Sequence, residues 1–182
     1  MIETGLLFLR RLNLWVAILI GVMLLACAAF VLADIVLRQF GHSFGGTDEI
    51  SGYVMAIATS WGMAFTMLEL GHVRIDILRI RLASRGRVMM DLLSQAVLAA
   101  TVTVIAVQCW PVVANSIANG SAANTQLETP LALVQLPWFA GWAWFAAMAW
   151  LTLVGSAILV FQGKFDRAEA AIGSSSEQEM MS

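Results

Sequence analysis

Charge is what this sequence most lacks. Of its 182 residues, 12% are Asp, Glu, Lys or Arg, against roughly 25% in an ordinary soluble domain. That shortage argues against a chain solvated mainly by water. Cysteine is scarce as well: Cys27 and Cys109 sit in or beside apolar runs without CxxC spacing. A quinone-linked thiol oxidase is thereby disfavoured, and small apolar packing residues are the favoured reading, with a Cys27–Cys109 disulfide as the alternative. There are two histidines, whereas each b-type haem in a membrane four-helix bundle needs a facing pair. His42 and His72 fall near opposite ends of the apolar runs that follow, about a hydrocarbon thickness of 30 Å apart, which excludes haem. An ionisable residue inside an apolar run, the usual mark of a cation-coupled carrier acting alone, is also missing. No catalytic residue, cofactor or metal ligand set emerges, and neither an enzyme nor a nucleic-acid partner is expected.

What is present is hydrophobic length. No charge interrupts Leu12–Ala33, Ile50–Leu68, Leu92–Leu127 or Thr129–Gly163, and a spanning helix needs about 20 apolar residues. The pattern predicts an all-α integral membrane protein with four transmembrane helices at about 13–33, 50–68, 92–114 and 137–161. Together they make one membrane domain over 1–165. Residues 166–182, ending in "GSSSEQEMMS", are expected to form a disordered tail. Arg10 and Arg11 followed by an apolar run resemble a signal peptide, but the run exceeds the usual 7–15 residues and a retained helix is favoured.

Local signals refine the boundaries. Thr47 is a predicted N-cap for the second helix, with Asp48 and Glu49 in its first turn suiting the helix dipole. Pro137 fits the first turn of the fourth helix, and Pro111 weakens the end of the third. Trp15, Trp110 and Trp138 lie near span ends, whereas Trp142, Trp144 and Trp150 are expected to face lipid or a partner. Ala17-x3-Gly21 and Ala58-x3-Gly62 offer small-residue faces for helix association.

Orientation follows from the basic residues. Arg10 and Arg11 precede the first span and Arg38 lies alone in the first loop. Arg74, Arg79, Arg81, Arg85 and Arg87 crowd the second, the third has none, and Lys164 and Arg167 follow the last span. With both termini cytoplasmic, nine positive charges lie inside and one outside, as the positive-inside rule requires.

Two charged constellations stand out. Glu69, His72 and Asp76 recur at i, i+3 and i+7 with Arg79 three further on, so they share one side of any helix continuing there. A solvated helix end touching anionic lipid, a docking surface and a buried network are all compatible with that spacing; one His and two carboxylates make a poor metal set. In the first loop, "ADIVLRQFGHSFGGTDEISGY", Asp34 and Arg38 are an i, i+4 pair, and Arg38 could reach Glu49 to pin the two helix ends.

The order Arg38, aromatic, Asp48-Glu49, Gly62 and then "LELGHVRIDIL" resembles the small membrane subunit of tripartite ATP-independent periplasmic (TRAP) transporters, the DctQ type. Gly71-His72-Val73-Arg74-Ile75-Asp76 carries most of the resemblance. The family often has a Trp before the acidic pair, where this chain has Gly45-Gly46-Thr47. The resemblance implies a non-catalytic scaffold in the bacterial inner membrane, beside a large DctM-type subunit that holds the sodium and substrate sites. A periplasmic solute-binding protein would dock on the complex, membrane lipids would surround it, and an organic acid or similar small solute would be imported. Glu69, His72 and Asp76 then become structural or interface residues, His72 and Asp76 stabilising the second helix end or its contact with the large subunit. The alternative is a stand-alone membrane assembly or anchoring protein whose basic loop binds lipid or a cytoplasmic partner.

Overall fold

The computed structural model describes residues 2–71 and 81–173. They form five α-helices: α1 (Ile2–Gln39), α2 (Thr47–Leu68), α3 (Ser84–Ala118), α4 (Leu131–Phe161) and α5 (Phe165–Ile172). Each predicted span lies inside one of the first four. Three segments, Phe8–Gln39, Arg85–Ala118 and Leu131–Phe161, are long and apolar enough to cross a membrane. The 22-residue α2 is not among them.

α1 pairs with α2, α3 pairs with α4, and α2 packs on α4, so the helices lie side by side in the order α1, α2, α4, α3. In lipid the solvent is as apolar as the side chains, so close packing and interhelical hydrogen bonds must hold helices together. The interior is accordingly built from small residues: Ala64, Ala99, Ala149, Ser60 and Ser156 are fully buried. The tightest approach is at Gly141 of α4, where a Cβ would sit 2.8 Å from both Ser60 Cβ and Trp61 Cδ1 of α2. Gly21 and Gly62 of the anticipated small-residue faces have open space instead.

Polar side chains cross the same interior. Gln95 Nε2 of α3 donates to the Ala149 carbonyl of α4 and to Met67 Sδ of α2, each at 3.3 Å. Trp61 Nε1 donates to the Pro137 carbonyl at 2.9 Å, and Trp144 Nε1 to Asn13 Oδ1 of α1 at 3.2 Å. Trp144 also stacks on Trp61, and Trp142 lies against Phe145. These two indoles, expected to face lipid or a partner, are therefore half-buried within the bundle. Trp150 is 46% exposed, with its indole N–H on Thr103 Oγ1.

The proline and cap expectations need correcting. α3 runs through Pro111 to Ala118, in keeping with the tolerance of apolar membrane helices for an internal proline. α4 begins at Leu131 with Pro130 as its N-cap, which leaves Pro137 inside the helix. Gly46, in the left-handed region at φ 64°, is the N-cap of α2, and Thr47 is its buried first residue. A disordered tail from residue 166 also fails over its first part. In α5, Ala168 and Ile172 are buried against α3 and α4, one apolar side of a single amphipathic turn and more. Residues 174–182 lie outside the described part.

Candidate functional site: two fastened ends of the bundle

All four long helices stop in the same way, with the paired 6→1 and 5→2 amide bonds of a Schellman closure. His42 N to Leu37 O, Gly71 N to Thr66 O, Ser121 N to Ser116 O and Lys164 N to Leu159 O are the 6→1 bonds. Glycine takes the left-handed residue in three of them, but in α2 it is Leu70, at φ 55°. Gly71 comes one residue later, lying over Thr66, where a Cβ would be 3.1 Å from Thr66 Cγ2. The motif glycine thus serves close approach rather than unusual φ. Gly71→Ala should cost about 1 kcal/mol in an equilibrium unfolding measurement. Thr66→Ser, which removes the opposing methyl, should recover most of it.

At one end of the bundle, the first loop is organised by a buried carboxylate. Asp34 is 1% exposed. Its Oδ2 accepts from Arg38 Nε at 2.8 Å and from the same guanidinium's second nitrogen at 2.7 Å. Its Oδ1 accepts from Ser43 Oγ at 2.9 Å and from the Phe44 amide at 2.8 Å. Phe44 then stacks on Phe30 of α1, ring centroids 5.4 Å apart. Arg38 therefore pairs within its own helix rather than with Glu49, because Asp34 lies one turn away and already faces it.

Glu49 is held by different groups. Tyr53 donates its hydroxyl to Oε1 at 2.6 Å, while Oε2 is buried with no hydrogen bond of ordinary length. The Thr125 hydroxyl, then Tyr53, then the Thr129 hydroxyl and Leu127 amide hold its pKa below the ordinary carboxylate value. Thr125, Leu127 and Thr129 belong to the third loop. That loop folds on itself through Ala123 N to Thr129 O and Leu131 N to Ser121 O, both 2.9 Å. Leu127 in turn lies over Gly46, where a Cβ would meet its side chain at 2.5 Å. The first and third loops thus form one continuous surface, from which Phe40, Phe44 and Leu127 project at 74%, 56% and 43% exposure. Sequence reasoning singled out Glu49 but missed Thr125, Leu127 and Thr129, which are ordinary loop residues by composition.

The other predicted site residues are spread out. Asp48 is exposed in the first turn of α2, and Glu69 is the exposed C-cap of the same helix. Gly62 is half-buried mid-helix. Arg81 is exposed, and Arg85 and Arg87 belong to the first turn of α3 rather than to a loop. His72, Arg74, Asp76 and Arg79 lie outside the described residues. Asp34 and Asp91 each fall one residue outside a predicted span. Both are buried and partnered, not solvated.

At the opposite end, α5 is fastened to α3. Arg87 Nε lies 3.6 Å from Glu169 Oε1, and the Arg85 guanidinium sits 5.6 Å from the Phe165 ring centroid. Among the described residues, no three of His, Cys, Asp and Glu come together in a way that could hold a metal. Cys27 and Cys109 are both free thiols. Among the described residues the ends hold loops in place, and no nucleophile or acid–base pair converges on a cleft there.

The family model for the DctQ component of tripartite ATP-independent periplasmic transporters matches residues 27–158. No curated protein and no solved structure matches the chain.

Proposed function

The chain belongs to the DctQ component family of tripartite ATP-independent periplasmic transporters, and on that premise we propose that it is a fixed scaffold subunit of a sodium-coupled importer. In this reading it crosses the bacterial inner membrane four times, with both termini cytoplasmic. It enlarges the static part of a complex with a large DctM-type subunit, which carries the sodium and the solute. The solute is an organic acid or a similarly small molecule delivered by a periplasmic binding protein.

One observation carries the reading: Asp34 folds the first loop back onto α1, and Glu49 and Leu127 fasten the third loop against it, so that the two loops make a single surface. A subunit that merely filled the membrane would not need two loops tied together beyond it. A subunit that receives a soluble partner does, because a preorganised surface loses less conformational freedom on docking. The charge distribution supports this end being periplasmic, since Arg38 is its sole Lys or Arg.

Purification of the tagged chain from its native membrane should bring down a large polytopic protein. A photo-crosslinker at Phe44 or Leu127 should label the binding protein, whereas one at Arg81 should not. Recovery of the chain alone, or labelling confined to Arg81, would overturn the proposal.

A further inference from the structure

At the arginine-rich end, beside the last turn of α4, a cavity of about 330 Å³ is lined by Arg85, Gly163, Lys164, Phe165, Asp166 and Arg167. Arg85, Lys164 and Arg167 thus line it together with one carboxylate, Asp166. Arg85 is set in place by stacking over Phe165 at 5.6 Å, an uncharged partner that leaves its charge in force. Lys164 Nζ donates to Gln162 Oε1 at 3.0 Å, again a neutral group. The cavity opens where apolar surface begins. Phe161, two residues before Gly163, is 92% exposed, and Met89 and Leu93 follow Arg85 at one and two turns along α3 with 60% and 65% exposed.

A cation-lined hollow at the membrane boundary, flanked by bare apolar side chains, has the two chemistries of one ligand. We infer that this cavity is a binding site for an anionic phospholipid. The phosphate lies among Arg85, Lys164 and Arg167, and the acyl chains lie along Phe161 and the Met89–Leu93 side of α3. Cation-lined recesses between membrane helices are suited to such headgroups, each nearby cation contributing a modest attraction. A free phosphate ion would use the same cations but would leave the apolar side chains without a role. The inference rests on membrane insertion and on these residues, and it holds whether or not the chain serves a transporter.

The test is native mass spectrometry of the full-length chain released from detergent, titrated with phosphatidylglycerol and with phosphatidylcholine of identical acyl chains. One phosphatidylglycerol should be retained in clear preference to phosphatidylcholine. The double variant Arg85→Ala/Lys164→Ala should weaken that retention on the order of 20-fold, about fivefold for each cation. Arg85→Lys/Lys164→Arg, which conserves charge and guards against loss of the local fold, should stay within a few-fold of the parent. Arg11→Ala, at an exposed position on α1, should change nothing. Equal retention of the two lipids, undiminished phosphatidylglycerol binding by the double alanine variant, or displacement of the lipid by millimolar inorganic phosphate would each overturn the inference. The last result would identify a free-anion site instead.

Discussion

Asp34→Ala should open the first loop. The carboxylate is 1% exposed and serves Arg38, Ser43 and the Phe44 amide at once. Its removal leaves a backbone N–H and a hydroxyl without their acceptor in a region otherwise covered by Phe30 and Phe44. Stranding hydrogen-bonding groups costs more than the bond itself contributed. The expected result is hydrogen exchange at the Phe44 amide faster by about 100-fold in micelles. Crosslinking from Phe44 to a docked partner should fall with it. Arg38→Ala is the informative control. Arg38 is half exposed, and exposed ion pairs contribute little, so its loss should change exchange at Phe44 by no more than a few-fold. If the two variants behaved alike, the loop would be held by the ion pair rather than by the capping of its amide.

The second large effect is expected at Gly141. Gly141→Ala inserts a methyl where Ser60 and Trp61 already stand, and neither can withdraw easily. Ser60 is fully buried, and Trp61 is tied to the Pro137 carbonyl and stacked on Trp144. Overpacking of this kind should cost about 3 kcal/mol in an equilibrium unfolding titration in mixed micelles. Adding Ser60→Gly should restore part of it, the remainder belonging to Trp61. The same chemical change at Gly62, which has nothing within 4 Å, should be neutral or should stabilise by up to about 1 kcal/mol, as expected for Gly to Ala in a helix. Equal costs at the two sites would show that α2 and α4 do not meet at Gly141.

Much of this molecule can be read from where its charges are missing. The four uninterrupted apolar stretches locate four helices because a charge inside lipid is so unfavourable that sequence position and membrane depth are nearly the same variable. Which side of each helix faces inward is another matter. Trp144 could not be assigned from composition, because in α4 both the lipid side and the packed side are apolar, and shape alone distinguishes them. Pro111 misled for a related reason: a rule drawn from water-exposed helices carries over poorly to apolar helices of this kind, where proline is tolerated within the run. Asp34 was visible as half of an i, i+4 pair, yet its more important acceptor role depends on a turn that brings Ser43 and Phe44 back to it. α5 escaped because it is short and charged overall. Ala168 and Ile172, one turn apart, were the available sign of a buried side.

The candidate site follows the same division. Glu49 was recognisable as part of an acidic pair, but apart from Tyr53 the groups around its carboxyl come from residues 125–129, some 76 to 80 positions later in the chain. Local sequence cannot announce a contact of that separation when neither partner is unusual. The family resemblance drew attention to the stretch around Gly71 while leaving open what that glycine does. Gly71 turns out to be the residue after the strained one, and Leu70 takes the left-handed conformation instead.

That fastening of the first loop by the third has a consequence for biogenesis. During synthesis the first helical hairpin is complete long before Thr125 and Leu127 leave the ribosome. Until then Gly46 is uncovered and Glu49 has Tyr53 as its main partner. The amino-terminal half therefore waits with an unfinished loop end, and formation of the third loop and the last two long helices closes it. Quality control that inspects this end would see, in one place, whether synthesis has passed the third loop.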